Sequence, residues 1–152
     1  MRGVFESSSG RMHIMVRGLI DSNILVYAAN ASHDSRHREA KAFMDEVMRQ
    51  PDEFVIAQQS LREFAAVAIH RSLLPLPEIE EYLTLFKDGF GSCFAEHPED
   101  IISAVHLSKT ERVHFWDALL ASTAQRNGVY LIYTEDAEFE RIPGIKVVNP
   151  LQ

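Results

Sequence analysis

A chain of 152 residues, 46% hydrophobic and 24% charged, has the size and balance of one soluble globular domain with room for a proper core. Its net charge of −7, from 22 acidic and 15 basic residues, argues against a general nucleic-acid coat. It leaves open an enzyme that meets phosphates locally, and it leaves room for a basic partner. No run approaches the roughly 20 apolar residues of a membrane span, and the single cysteine, Cys93, excludes an intrachain disulfide and fits a reducing cytoplasm.

In chain order, residues 1–14 stand apart: they contain Ser and Gly and lack an apolar secretory core. They read as a tag remnant, a mis-assigned start or a loose arm, with one domain over 15–152. Val16 to Ile20 is a short apolar run that suits a buried strand and ends at Asp21. "NILVYAAN" follows as a short helix, and from Ser35 to Met48 the positions Ala40, Phe43, Met44 and Val47 recur at helical spacing. Pro51 and Asp52 break the chain before the strand "FVIA", Phe54 to Ala57. A helix with Leu61, Phe64, Ala65, Ala68 and Ile69 on one stripe comes next, then a helical set from Glu78 to Phe86. "SCFAEH" suits a short strand, and Glu99 to Leu107 a helix. "FWDALLASTAQRN" is helical and closes at Gly128, a natural residue just past a helix end. "VYLIY" is a buried strand, "DAEFERI" a helical turn and "IKVV" a last strand. Strands alternating with helices over one core predict a three-layer α/β/α domain with a mainly parallel central sheet.

In such a sheet the carboxyl ends of the strands line one edge, where ligands bind. Asp21 follows the first strand, Glu63 lies early in the helix after "FVIA", and Asp136 comes just after "VYLIY". Asp117 opens the helix that precedes that strand, among the apolar neighbours Phe115, Trp116, Ala118, Leu119 and Leu120. Carboxylates that converge raise one another's pKa unless a cation neutralises them, and hard oxygen ligands suit Mg²⁺ or Mn²⁺. Such a site can activate water against a phosphodiester, which is nuclease chemistry. Each acid also has a plain structural reading. Ser60-Leu61-Arg62-Glu63 has the spacing of a capping box, and Asp21 and Asp136 could each cap the turn that follows. Asn23 and Thr134 carry short side chains able to orient a carboxylate or a water, or to serve as ordinary helix-start polarity.

The ordered blocks "LIDSNILVYA", "SLREFAAV" and "HFWDALLASTAQRNGVYLIYTEDAEFERIPGIKVVNP" resemble the PIN-domain family, most of all its small VapC-type toxins of toxin–antitoxin pairs. The resemblance runs from about Val16 to Pro150, and the last block is its most specific part. It implies a metal-dependent endoribonuclease that hydrolyses single-stranded RNA with Mg²⁺ or Mn²⁺ bound by the acids. Position by position, it assigns catalytic and metal-binding roles to Asp21, Glu63, Asp117 and Asp136, with Asn23 and Thr134 as polar companions. Asp21, Asp117 and Glu63 would hold the principal metal, and Asp136 a second site or the attacking water. It further implies a cytoplasmic homodimer, silenced by a cognate antitoxin whose segment enters the acidic cleft. A solitary RNA-processing nuclease of the same family is the nearest alternative.

Other residues carry weaker signals. His33 and His37 stand four apart, but with no Cys pair or His-Glu-x-x-His they read as solvated rather than zinc-binding. With Arg36, Arg38 and Lys41 they could form a basic rim for phosphates. Cys93 and Trp116 read as packing, with base stacking the other use of Trp116. Glu135 adds a charge that would oppose RNA or act as an outer ligand. A receiver-like module would show paired acids after the first strand and a lysine after "VYLIY", and this chain has neither. A non-catalytic binding module is compatible with the fold but gives the four acids no task.

Overall fold

The computed structural model describes residues 3–6, 12–32 and 34–152. The main sheet has five strands: β3 (Gly18–Ile20), β4 (Phe54–Ala57), β5 (Cys93–Phe94), β6 (Leu131–Tyr133) and β7 (Lys146–Val148). Before it, within the segment set aside above, β1 (Gly3–Glu6) and β2 (Met12–Met15) pair as a separate antiparallel ribbon, with Gly3 opposite Met15. The main sheet has the order β5-β4-β3-β6-β7, and every pairing in it is parallel.

Among the described residues six helices connect these strands: α1 (Ser22–Ala29), α2 (Asp34–Arg49), α3 (Gln58–His70), α4 (Leu76–Gly89), α5 (Pro98–Glu111) and α6 (Phe115–Arg126). Short 3-10 turns lie at Pro51–Glu53 and Ala137–Arg141. Alternate residues of a strand point to opposite faces, so a sheet buried on both sides needs apolar residues throughout. Leu19, Val55, Ala57 and Ile132 pack with Leu119, Leu120 and Phe139 on the α5–α6 side. Ile20, Phe54 and Ile56 pack with Ile24, Met44, Phe64 and Phe86 on the other. This is the three-layer α/β/α arrangement expected from the alternation of strands and helices.

Two glycines fix the strands that carry the site. Gly18 sits where a Cβ would collide with the Tyr133 ring on the neighbouring strand, so only glycine lets β3 and β6 close in this register. Gly128, at φ +74°, ends α6: its N–H donates to the Gln125 carbonyl at 3.0 Å, and that of Val129 to Ala124 at 2.9 Å. The chain then turns straight into β6, so α6 runs against the strands and its first turn stands at their carboxyl edge.

Three sequence readings change. The capping box at Ser60 is not made, because α3 starts at Gln58; Ser60 is buried and donates to the Ile20 carbonyl at 3.2 Å. Cys93 is exposed rather than packed, since β5 is a two-residue strand at the sheet's edge. Trp116 is 60% exposed, because the first turn of α6 projects past the layer that buries the rest of the helix. His33 lies outside the described residues, and His37 is engaged by the Tyr27 carbonyl at 2.9 Å. No helix among the described residues is long and apolar enough to cross a membrane.

Candidate active site

Parallel pairing of β3 with β4 and β6 places the ends of all three strands at one edge. Asp21 leaves β3 there, and its amide donates to the Tyr133 carbonyl at 3.0 Å, tying it to the end of β6. Its side chain does two jobs. Oδ1 accepts from the Ser22 amide at 2.7 Å, which caps α1, and Oδ2 accepts from the Thr134 hydroxyl at 2.8 Å. Capping and site geometry therefore coexist in one residue, which is 8% exposed.

Thr134 follows β6 directly and is fully buried. Its oxygen also accepts from Asn23 Nδ2 at 3.2 Å and from the Asp136 amide at 3.0 Å. A hydroxyl offers one donor and two acceptor sites, and all three are used here. Asp136 begins the Ala137–Arg141 turn and caps it, accepting from the Glu138 amide at 2.9 Å. Glu63, from α3, accepts from Ser22 Oγ at 2.8 Å and from Gln59 Nε2 at 2.6 Å. Gln59 Nε2 also reaches the Trp116 carbonyl at 2.8 Å, linking α3 to the first turn of α6. Asp117 lies in that turn. The four acids singled out in the sequence thus come together at one edge, with Asn23 and Thr134 among them.

A fifth acid joins them. One carboxylate oxygen each of Asp117, Asp136 and Glu138 lie within 4.8 Å of one another. Glu138 was not singled out in the sequence, where "DAEFERI" read only as a helical turn. The turn is a short 3-10 segment, and an acid two residues after its capping Asp was the signal that could have found it.

Electrostatics separate these acids from an ordinary structural one. Asp100, only 2% exposed, sits between α5 and α6. Burial pushes its carboxyl up, but bonds from Arg126 at 2.7 and 3.0 Å, the His97 amide and Thr123 outweigh burial and hold it below the usual carboxylate value. At the sheet edge no such cation stands opposite among the described residues. Burial first, opposed by the Thr134 and Ser22 bonds but reinforced by Glu63 and Asp136, raises Asp21 from 3.8 to about 6. Burial, the charges of Asp136 and Asp21, and a bond shared with Glu138 raise Asp117 to about 8. Among the described residues, no ion pair joins Asp21, Glu63, Asp117 or Asp136 to a basic side chain. Arg141 approaches Glu138 at 3.7 Å, and Arg36 is held by Glu135 at 3.1 Å. Arg62 pairs with Glu96 and does not enter the cleft.

This donor set fits a hard divalent cation. Carboxylate oxygens dominate, four of the acids have no basic partner among the described residues, and Asn23 Oδ1 is a buried acceptor with no hydrogen-bond partner.

Solved structures of the same architecture are known. A toxin–antitoxin complex from Klebsiella pneumoniae matches with a TM-score of 0.64 and 22% identity, over 88% of this chain and 97% of that one. VapBC2 from Rickettsia felis, bound to a DNA fragment from its promoter, matches at 0.65 and 18%, over 88% and 98%. VapC20 of Mycobacterium tuberculosis, described as a sarcin-ricin-loop-cleaving toxin, matches at 0.62 and 16%, over 80% and 92%. At these identities the likeness is one of fold. No curated protein sequence matches the chain. The family model described as PIN domain matches residues 18–145, a span that holds all five acids, and the chain belongs to the PIN-domain family.

Proposed function

We propose that the chain is a divalent-metal-dependent endoribonuclease acting on single-stranded RNA, and the toxin of a toxin–antitoxin pair. The observation that carries this reading is the edge where Asp21, Glu63, Asp117, Asp136 and Glu138 meet with no basic side chain among the described residues paired to the first four. Asp21, Glu63 and Asp117 would hold the principal ion, Mg²⁺ or Mn²⁺, and Asp136 with Glu138 a second position or the attacking water. Bound there, the ion would lower the pKa of a water and neutralise charge on the scissile phosphate.

The chain's own residues supply order. Thr134 and the Ser22 amide fix Asp21 in one rotamer, and Ser22 Oγ and Gln59 do the same for Glu63. Asp136 is held by its own turn, so it can accept a hydrogen bond from water without moving. Hydrolysis by water makes the RNA 2′-OH dispensable, which separates this chemistry from 2′-OH transesterification. The toxin assignment rests on the toxin–antitoxin complexes among the fold neighbours and on the net charge of −7, which suits a basic antitoxin segment. A cytoplasmic homodimer belongs to the same reading.

The test uses purified protein and a mixed single-stranded RNA pool. Cleavage with Mg²⁺ or Mn²⁺ that stops in EDTA, and persists when the scissile nucleotide is 2′-deoxy, is the expected result. Cleavage that survives EDTA, or that needs the 2′-OH, contradicts the mechanism.

A further inference from the structure

We infer that Trp116 is a base-stacking residue of the cleft, receiving a nucleobase of the single-stranded RNA whose phosphodiester is brought to the carboxylates. This rests on the ribonuclease reading and adds to it a residue that none of the acid chemistry requires.

The first ground is where the indole stands. Residues 118 to 124 of α6 are all buried, so this is not a helix with an ordinary solvent-facing side. Its exposed aromatic is confined to the first turn, one residue before Asp117. Trp116, 60% exposed, is the most exposed Phe, Tyr or Trp side chain among the described residues, and Tyr130 follows at 46%. Tyr130 precedes β6 and so lies at the opposite end of the strand from the acids. An indole carries roughly 150–250 Å² of largely apolar surface, so leaving it in water forgoes a substantial burial term.

The second ground is that the residue is braced. Phe115 is packed against the core and meets the indole at 5.2 Å and 69°, an edge-to-face contact. The Trp116 carbonyl accepts from Gln59 Nε2, and the same nitrogen donates to Glu63 Oε1. The main chain that presents the ring is thereby coupled to one of the site acids. A fixed aromatic platform loses little entropy when a base stacks on it.

The third ground is charge. Until a cation binds, the site acids repel phosphates, and Arg36 and Arg62 are engaged by Glu135 and Glu96. A contact indifferent to phosphate charge would add affinity for RNA there. Stacking on an aromatic ring is such a contact, worth about 1–3 kcal/mol per base and open to every base.

Trp116 is the only tryptophan in the chain, so its emission reports on it alone. The experiment titrates a single-stranded oligoribonucleotide into the intact protein with Ca²⁺ in place of Mg²⁺, then measures Mn²⁺-dependent cleavage by Trp116→Leu and Trp116→Phe. Expected are saturable quenching of the emission and a KM raised roughly 5- to 100-fold in Trp116→Leu, with kcat much less affected. Trp116→Phe, which keeps a ring, should recover most of that loss. Wild-type cleavage with emission unchanged at saturating RNA, or with Trp116→Leu matching wild type in KM, overturns the stacking role alone. Absence of both cleavage and quenching in the wild type overturns the ribonuclease reading with it. Unaltered RNA kinetics combined with weakened self-association in Trp116→Leu reassigns the ring to a protein contact.

Discussion

The Thr134 hydroxyl donates to Asp21 Oδ2 at 2.8 Å while accepting from Asn23 and the Asp136 amide, so one buried oxygen holds together the acids that follow two different strands. Thr134→Val keeps the shape and removes that oxygen, leaving a carboxylate oxygen and two N–H groups without their partner. The expected result is a loss of about 1–3 kcal/mol in stability and of roughly 10–100-fold in cleavage rate. Thr134→Ser should stay close to wild type in both, because it keeps the hydroxyl. Denaturant melts and single-turnover rates on the two variants decide this; equal behaviour would remove Thr134 from the account.

Stability of the cation-free protein should fall as pH rises. Asp21 and Asp117 have folded-state pKa values raised from 3.8 to about 6 and about 8, so the folded state binds more protons than the unfolded chain above about pH 4. Their protonated forms are compatible with the fold, and their ionisation is what burial and mutual repulsion oppose. Stability is therefore fully present below the unfolded pKa and is lost as pH climbs through about 6 and then about 8. Asp21 alone accounts for about 3 kcal/mol of this. Thermal melts in EDTA at pH 5, 7 and 9 should show a falling Tm, and Mn²⁺ should restore it most at pH 9. A Tm that rises over this range contradicts the assignment.

Asp100 and Asp117 should respond in opposite directions to the same substitution. Asp100→Asn leaves the partly exposed Arg126 guanidinium without its buried carboxylate, and about 3 kcal/mol of stability should be lost. Asp117→Asn removes an uncompensated charge from the edge, so in EDTA the protein should become more stable while losing cleavage. Paired urea titrations at pH 8 measure both, and a destabilised Asp117→Asn would mean that the carboxylate is structurally compensated after all.

Glu135 holds Arg36 at 3.1 Å, and the same guanidinium lies over the Tyr27 ring at 5.6 Å. Glu135→Ala removes one negative charge from the approach and frees Arg36 for phosphate. RNA affinity should rise several-fold at low salt, with a steeper salt dependence, since each added phosphate contact steepens the slope. A binding isotherm that is unchanged at low and high salt would place Arg36 outside the RNA path.

The parts of this protein legible in its sequence are those written in local patterns. "FVIA" between a proline break and an amphipathic stripe is a buried strand at its predicted bounds, Phe54 to Ala57, and Gly128 ends α6 as its position suggested. The edge location of Asp21, Glu63, Asp117 and Asp136 followed from parallel topology alone. What was not legible depends on distances between elements. Gln59 serves Glu63 and the Trp116 carbonyl at once, and nothing in "QQSLRE" announces a partner 57 residues away. Trp116 sits in an apolar run and reads as core until the end of the layer is known. Glu138 was missed because its approach to Asp117 is set by the packing of the turn against α6, and Ser60 was misread because α3 begins three residues earlier than the capping pattern requires.

The most direct measurement is calorimetric titration of Mn²⁺ into the purified protein at pH 7.5 in two buffers of different ionisation enthalpy, with Asp117→Asn alongside. The account predicts saturable binding accompanied by proton release, because raised carboxyl groups must ionise to become ligands, and at least tenfold weaker binding in the variant. Mn²⁺ binding that is absent, or equal in both proteins and free of proton release, would contradict a cation site at this edge.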